Sequence, residues 1–250
     1  MTEVFEQRPA ERRKVASDIK TSPELLSALA TDSHTGVRSS VGANPATPTP
    51  VLLGLAQDRS EWVRGAVAGN PQAPTDLILA MTHDEAWYVR SQAASRLTAG
   101  DEAFTALAQD PQMDVVRVVA ANPHLTKRAT SVIRTRGDSE AIGKLASNPA
   151  LDDEEVLELL PMLSLWQRQE VAARDPMAYP LLAALARDEE ALVRAVVAKH
   201  PRATSDLLAA LAADDDEEVR TAVHRNPNAD EQTRATAALL GVQRKESLRD

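Results

Sequence analysis

Two apolar patterns alternate along this chain, and each has the spacing of one face of an α-helix. In the first pattern, apolar residues stand at i, i+3 and i+4, as Val63, Ala66 and Val67 do. The pattern stops at an Asn-Pro pair such as Asn70-Pro71. Asparagine tolerates a left-handed cap and proline cannot continue the helical hydrogen bonds, so each first helix is predicted to end there.

The second pattern follows each Asn-Pro stop and places two adjacent apolar residues one turn before a third. A Thr, Ser or Pro precedes it, which fits the first turn of a helix. Neither helix is long enough to be stable alone, so each pair is predicted to fold by packing on its neighbours. Examples of the second pattern are Leu25, Leu26 and Leu29; Val51, Leu52 and Leu55; Leu77, Ile78 and Met81; and Leu207, Leu208 and Leu211.

Both patterns recur every 26 residues, which is the interval from Asp32 to Asp58 and from Asp58 to Asp84. Two helical patterns per repeat predict an all-α solenoid, in which stacked units bury one continuous core. About nine such two-helix units fit the chain. The predicted organisation is an N-terminal extension at residues 1–10, a single repeat domain at residues 11–240 and a polar C-terminal tail at residues 241–250.

An Asp-x4-Val-Arg motif marks most units, and we interpret it as structural. The aspartate follows one helix and the arginine lies early in the next, so neighbouring units can pair in a ladder of bidentate contacts. In the fifth unit Arg136 and Ile142 replace both residues together, which supports pairing between positions six apart. The predicted ladder comprises Asp32, Arg38, Asp58, Arg64, Asp84, Arg90, Asp188, Arg194, Asp214 and Arg220.

This motif between apolar helical faces resembles the HEAT repeat, in which aspartate and arginine form such a ladder. The shorter period and the string VRGAVAGNPQAPTDLILAMTHD are more similar to the variant leucine-rich repeat (LRV) of bacteria. The resemblance covers residues 11–240 and implies a right-handed superhelix of alternating short α- and 3₁₀-type helices. Some LRV proteins carry an iron–sulfur cluster on N-terminal cysteines; this chain has no cysteine, so the resemblance implies no cofactor here.

The composition of the chain excludes several classes of function. The net charge of −9 opposes broad, non-specific binding to nucleic acid. No glycine-rich phosphate loop, H-E-x-x-H or G-x-S-x-G motif occurs, and the lack of cysteine excludes thiolate metal sites. We therefore predict no enzyme, no catalytic residue, no metal, no cofactor and no small-molecule ligand. The N-terminus lacks an apolar signal segment and no run is long and apolar enough to span a membrane, so a cytoplasmic location is expected.

The centre of the chain departs from the repeat and is the first candidate for partner binding. Residues 127–144 carry five basic and two acidic side chains, a net +3 in an acidic chain. Regularity gives way more readily at functional sites, which favours a docking site there. The alternative is that these units have drifted and present a solvated charged face. The candidate residues are Arg128, Arg134, Arg136 and Trp166.

A second candidate is aromatic. Trp62 and Tyr88 stand 26 residues apart at the same repeat position, with Trp87 beside Tyr88. Tryptophan and tyrosine are enriched at binding hot spots, so aligned rings on adjacent units predict a small exposed ledge. The alternative is that the rings cover the seam between units, since their position lies one residue before a buried valine.

The function that these patterns favour is a non-catalytic scaffold whose surface binds an unknown protein partner. The alternative is a nucleic-acid-binding protein that resembles HEAT-like alkylpurine DNA glycosylases, which use a basic groove with aromatic and acidic residues. Only Trp87, Tyr88, Trp166 and the basic run 127–144 could serve that activity. Salt-dependent retention on DNA would separate the two.

Overall fold

The computed structural model describes residues 8–247, and side-chain surroundings up to residue 239. Over that range the chain is α-helical apart from one 3₁₀ turn, Leu160–Met162, and it has no strand. The helices form nine successive pairs, so the prediction of an all-α repeat solenoid is confirmed. The chain divides into two compact units: unit 1 is Met1–Ala141 and unit 2 is Ile142–Asp250.

The helices of unit 1 are α1 Pro9–Ser17, α2 Pro23–Leu29, α3 Thr35–Ala43, α4 Thr49–Leu55, α5 Glu61–Ala68, α6 Thr75–Met81, α7 Trp87–Arg96, α8 Asp101–Ala108, α9 Met113–Ala121 and α10 Lys127–Arg136. Helix α11, Ser139–Ala146, begins in unit 1 and ends in unit 2. The other helices of unit 2 are α12 Asp153–Leu159, α13 Leu165–Ala172, α14 Tyr179–Leu185, α15 Ala191–Lys199, α16 Ser205–Leu211, α17 Glu217–Arg225 and α18 Glu231–Ser247.

These bounds differ from the predicted domain limits at both ends. Helix α1 starts at Pro9, inside the predicted N-terminal extension, and α18 continues to Ser247 through most of the predicted polar tail. Residues 1–7 and 248–250 lie outside the described residues. In the range 8–247, no helix has both the length and the apolar character needed to cross a membrane.

Unit 1 has two layers of helices. The odd-numbered helices α1, α3, α5, α7 and α9 pack each against the next and form the first layer. The even-numbered helices α2, α4 and α6 each pack on the two odd-numbered helices that flank them, and α8 packs on α10. The apolar faces meet between the layers, where Leu52, Val63 and Val67 are completely buried. Burying each such side chain contributes about 1.5–3 kcal/mol.

Unit 2 is built in the same way. Its odd-numbered helices α13, α15 and α17 pack in succession, and α17 packs on α18. On the other side α12 packs on α14. Leu181, Leu182 and Leu185 of α14 and Val193 and Val197 of α15 are almost fully buried, as the two apolar patterns predict.

The second helix of each pair differs from what the LRV resemblance implies. Helices α2, α4, α6, α14 and α16 are α-helical over seven residues rather than 3₁₀. In α4 the C-cap amide of Ala56 still bonds to the carbonyl of Leu52, four residues back. Hydrogen bonds with the tighter three-residue spacing of a 3₁₀-helix occur after α4 ends, where the amide of Asp58 donates to the carbonyl of Leu55.

The Asn-Pro stop also works differently from the prediction. Asn44 has extended backbone angles (φ −72°, ψ 123°), and so no left-handed cap forms. Its side-chain amide donates to the carbonyls of Ala16 and Asp18 at 2.8 and 2.9 Å, at the end of the preceding first-layer helix. Its side-chain oxygen accepts from the amide of Ala46. One asparagine therefore satisfies carbonyls that the preceding helix leaves without a partner.

This arrangement repeats and forms an asparagine rail along one edge of each unit. Asn70 and Asn122 continue the rail in unit 1, and Asn226 does so in unit 2. His200 substitutes for asparagine: its Nδ1 accepts from the amide of Arg202, so Nε2 carries the proton and donates to the carbonyl of Arg174 at 2.7 Å. The histidine is 4% exposed and serves the same structural purpose as the amide.

Candidate functional site

The arginine ladder follows the opposite edge, in the loops that enter the first-layer helices. Arg64 on α5 grips Asp84 with two parallel hydrogen bonds, Nε to Oδ2 at 2.7 Å and Nη2 to Oδ1 at 2.8 Å. Its Nη1 donates to the main-chain carbonyl of Asp58 at 2.9 Å. The Asp84 carboxylate also accepts from the amide of Ala86. Each guanidinium thus ties two successive loops together.

The predicted pairing of positions six apart is therefore wrong for the side chains. Asp58 forms its ion pair with Arg38, twenty residues earlier, while Arg64 meets only the backbone carbonyl of Asp58. The geometry explains this. Nη1 of Arg64 points to the loop that precedes its own helix, whereas Nε and Nη2 point to the aspartate in the next loop. The regular rungs are Arg12–Asp32, Arg38–Asp58, Arg64–Asp84, Arg90–Asp110, Arg168–Asp188 and Arg194–Asp214.

Three of these rungs show how the ladder lowers the pKa of an aspartate. Hydrogen bonds from Arg38 lower the pKa of Asp58, and those from Arg12 lower the pKa of Asp32. At Asp84 burial alone would raise the pKa, but the hydrogen bonds from Arg64 and the Ala86 amide outweigh it. These three aspartates are therefore held in their charged form by contacts within the fold.

One rung is displaced. The regular arginine position in α9 is occupied by the buried Val116, and Arg117 instead pairs with Asp138 through contacts of 3.1 Å. Its Nη1 also lies 3.1 Å from Glu140 and 3.4 Å from Asp114. Of the two positions that the sequence predicted to be lost in the fifth unit, the aspartate position is thus displaced from 136 to Asp138, whereas the arginine position is occupied by the buried Ile142. The guanidinium of Arg117 faces three carboxylates.

The predicted aromatic residues lie together in the first layer of unit 1. The rings of Trp62 and Tyr88 are tilted, with centroids 4.9 Å apart, and Trp87 meets Tyr88 edge-on at 6.3 Å. Trp62 is 58% and Trp87 43% exposed, whereas Tyr88 is half-buried. We call these three residues the aromatic ledge. A Cβ on Gly65 would overlap the Tyr88 ring, so the glycine lets that ring lie directly on α5.

The predicted basic residues lie on α10, in the second layer, and several are engaged by the fold. Arg136 donates through Nη1 to the carbonyls of Ala108 and Asp110, at 3.0 and 2.8 Å. It therefore caps the end of α8. Arg128 lies 3.8 Å from Asp101, and Arg134 also has an interaction partner. The structure does not place these arginines on the same layer as the aromatic ledge.

Trp166 lies in unit 2, at the start of α13, and is 75% exposed. It shares its repeat position with Trp62, yet among the described residues no aromatic ring packs against it. The residue that covers the local glycine, Gly143, is Gln167 rather than an aromatic. Trp166 is thus a single exposed indole.

Sequence reasoning missed Asp114, Arg117 and Glu140. The available signal was the 26-residue count itself, because Asp114 and Glu140 continue the repeat position of Trp62 and Tyr88. No group of three or more potential metal ligands occurs among the described residues.

The asparagine rail, the arginine ladder and the two layers of helices define the class of the protein as an α-helical repeat solenoid. It is similar to a solved leucine-rich repeat variant described as having a novel repetitive structural motif. The identity is 22% over 91% of this chain and 85% of that chain, with a TM-score of 0.52. The resemblance inferred from sequence is thereby confirmed at the level of the fold.

Two designed armadillo repeat proteins also match. One, made for modular peptide recognition, is 14% identical over 94% of this chain and 96% of its own, with a TM-score of 0.21. The other, in complex with the peptide (KR)4, is 13% identical over 94% of each chain, with a TM-score of 0.24. Likeness at these scores has no bearing on function. No family model and no curated protein matches the sequence.

Proposed function

We propose that this chain is a non-catalytic scaffold that binds a protein partner through the aromatic ledge. The observation that supports this most directly is the pair of exposed indoles, Trp62 and Trp87, held in place by Tyr88. Exposed clustered aromatics are characteristic of binding surfaces, and tryptophan contributes large contact areas at hot spots.

The ledge is also held in place before any partner arrives. Tyr88 packs on Gly65 and against both indoles, and a serine hydroxyl of α3, that of Ser39, donates to the main-chain carbonyl of Trp62. Side chains already restricted by packing lose less entropy on binding. Tyr88 does cover the seam between α5 and α7, but more than half of Trp62 remains open to solvent, which the seam interpretation does not explain.

The nucleic-acid alternative has less support. It relies on the basic side chains of α10. The guanidinium of Arg136 donates to main-chain carbonyls at the end of α8, and Arg128 and Arg134 also have interaction partners. With a net charge of −9, the chain also lacks the phosphate-neutralising surplus that such binding requires.

The experiment is quantitative affinity purification from the native host with three forms of the protein. Wild type and Trp166→Ala are expected to recover the same partner, whereas Trp62→Ala/Trp87→Ala is expected to lose it. Trp166 is the control because it is an exposed tryptophan, 75% against 58% for Trp62 and 43% for Trp87, and no ring of the described residues packs against it. Thermal melts establish that the variants are folded. Equal recovery by all three forms would refute the ledge, and salt-dependent retention of wild type on DNA would favour the alternative.

A further inference from the structure

We infer that the segment docking on the aromatic ledge carries lysine or arginine side chains at about every third residue, in an extended, polyproline-like conformation. This inference rests on the proposed function, because it names the chemistry of the partner at the same surface. It depends on how the ledge continues into α9 and α11.

The ledge is the start of a longer row. Trp62, Tyr88, Asp114 and Glu140 occupy one repeat position, 26 residues apart, near the first turns of α5, α7, α9 and α11. We call these four residues the ridge. Since α5, α7 and α9 pack side by side, the ridge crosses the helices of the first layer within unit 1. The side chains of Asp114 and Glu140 are 62% and 59% exposed, similar to Trp62.

The acidic half of the ridge has unbalanced charge. Arg117 faces Asp114, Asp138 and Glu140 at 3.1–3.4 Å, so one guanidinium is shared by three carboxylates. Arg136 also reaches α9, where its Nη2 lies 3.1 Å from Sδ of Met113, the neighbour of Asp114. Among the regular rungs of unit 1, Arg38 meets one carboxylate, that of Asp58, and Arg64 meets two, those of Asp84 and Glu85. The displaced rung differs from them in having three. A cation from a partner would be attracted there.

The aromatic half of the ridge attracts the same chemistry. A guanidinium or ammonium group over the face of an indole or phenol ring is stabilised by the ring quadrupole. Glu85, two residues before Trp87, has an 87% exposed side chain and lies 3.3 Å from Nη2 of Arg64. An acidic segment would be repelled along the ridge, and a purely apolar one would bury carboxylates that share a single guanidinium, that of Arg117. Both halves therefore select a basic segment.

The geometry of the repeat sets the spacing. Packed helices lie about 8–10 Å apart, so the ridge offers one contact point at about that interval. A polyproline-like chain advances about 3.1 Å per residue with three residues per turn, so every third side chain returns to the same face after about 9 Å. A cation at every third residue would thus meet successive ridge residues.

The test uses two fluorescein-labelled peptides of identical composition, measured by fluorescence anisotropy with the full chain. One carries arginine at every third residue among serine and proline; the other has the same arginines in one block. We expect the periodic peptide to bind about tenfold more tightly than the block isomer, equivalent to ~1.4 kcal/mol. Replacing its arginines with glutamate is expected to abolish binding.

The acidic half is tested with Asp114→Asn/Glu140→Gln, which is expected to weaken binding of the periodic peptide about tenfold. The matched control is Asp76→Asn/Glu102→Gln, an equal charge change at exposed positions of α6 and α8, with expected affinity unchanged. Thermal melts of both variants exclude unfolding as the cause. Equal affinities for the two isomers, or equal losses in both charge variants, would overturn the inference.

The two proposals fail separately. If Trp62→Ala/Trp87→Ala loses the native partner but the peptides bind alike, the ledge stands and the cation rule is wrong. If the periodic peptide binds with the expected preference but the native partner is retained by that variant, the ridge recognises cations and the ledge is not the partner site.

Discussion

The Arg64–Asp84 rung and the Arg117–Asp138 rung use the same two residue types but leave different surfaces. At the first, the arginine side chain is 10% exposed, and its donors bind the Asp84 carboxylate, the carbonyl of Asp58 and, at 3.3 Å, Glu85. At the second, the arginine side chain is 31% exposed and its contacts are spread over three carboxylates. The aspartate of the first rung is 11% exposed, whereas two of the three carboxylates at the second are 62% and 59% exposed.

Under the proposed function, partner recognition in unit 1 lies where the repeat is irregular. Where the repeat is kept, polar groups satisfy one another and hold successive loops in register. Where it shifts by one residue, as at Arg117, the same groups face solvent. The aromatic ledge shows a parallel departure, since Gly65 occupies the repeat position of Arg117 and lets Tyr88 cover it. The predictions below test this separation, beginning with the largest effect.

Acidification should weaken all the rungs with lowered carboxylate pKa values at once. In the folded state the pKa is lowered at Asp32, Asp58, Asp84, Asp138 and Asp214. A lowered folded pKa means that the stabilisation is present above the ordinary aspartate pKa of about 3.9 and is lost as pH falls through the folded value. Urea unfolding at constant ionic strength should therefore show a steep loss of stability below about pH 4. A free energy of unfolding that stays level or rises there would contradict the ladder.

Removing one regular arginine should cost more than removing the displaced one. Arg64→Ala leaves the half-buried Asp84 unpaired and the Asp58 carbonyl without its donor, so we expect a loss of about 3 kcal/mol at pH 7. Arg117→Ala should cost less than half as much, because its partners are more exposed. Arg59→Ala, at an exposed arginine in the same loop, is the control. Equal losses at Arg64 and Arg117 would remove the distinction between the two rungs.

The smallest expected effect concerns two glycines, whose replacement by alanine should change the stability in opposite directions. Gly65→Ala forces the Tyr88 ring away from α5 and should destabilise the protein by about 1 kcal/mol. Gly54→Ala, on α4 where a Cβ meets nothing within 4 Å, should stabilise it by about 0.5–1 kcal/mol. Chemical denaturation of both variants checks this. Stabilisation by Gly65→Ala would show that Tyr88 is not held on that glycine.

The sequence was sufficient for the helical pairs and their period, but not for the ladder partners. Arg64 follows Asp58 by six residues and precedes Asp84 by twenty, and these two intervals together make up one 26-residue repeat. In a regular repeat, pairing an arginine with the aspartate six residues earlier or twenty residues later gives the same sequence pattern, and only the structure distinguishes the two. The displaced rung shows the second pairing, because Arg117 and Asp138 are 21 residues apart and are joined directly. Likewise, no sequence signal showed that Asn44 bonds to carbonyls 26 and 28 residues earlier.

The candidate site was predictable only in part. The common repeat position of Trp62 and Tyr88 was visible in the sequence, and their rings do meet. By their charge, the arginines of α10 were equally good candidates for a binding site. The contacts of Arg136, however, depend on where α8 ends, which sequence spacing does not give. The surplus of carboxylates at Arg117 follows from a one-residue shift that sequence reasoning treated as loss of the motif.

We propose that the ridge and the ledge recognise the partner, whereas the regular rungs stabilise the fold. The measurement that separates these roles follows the three indole N–H signals of ¹⁵N-labelled protein during titration with the periodic arginine peptide. The indoles of Trp62 and Trp87 should shift together with increasing peptide, and that of Trp166 should stay in place. A shift confined to Trp166, or equal shifts of all three indoles, would contradict the account.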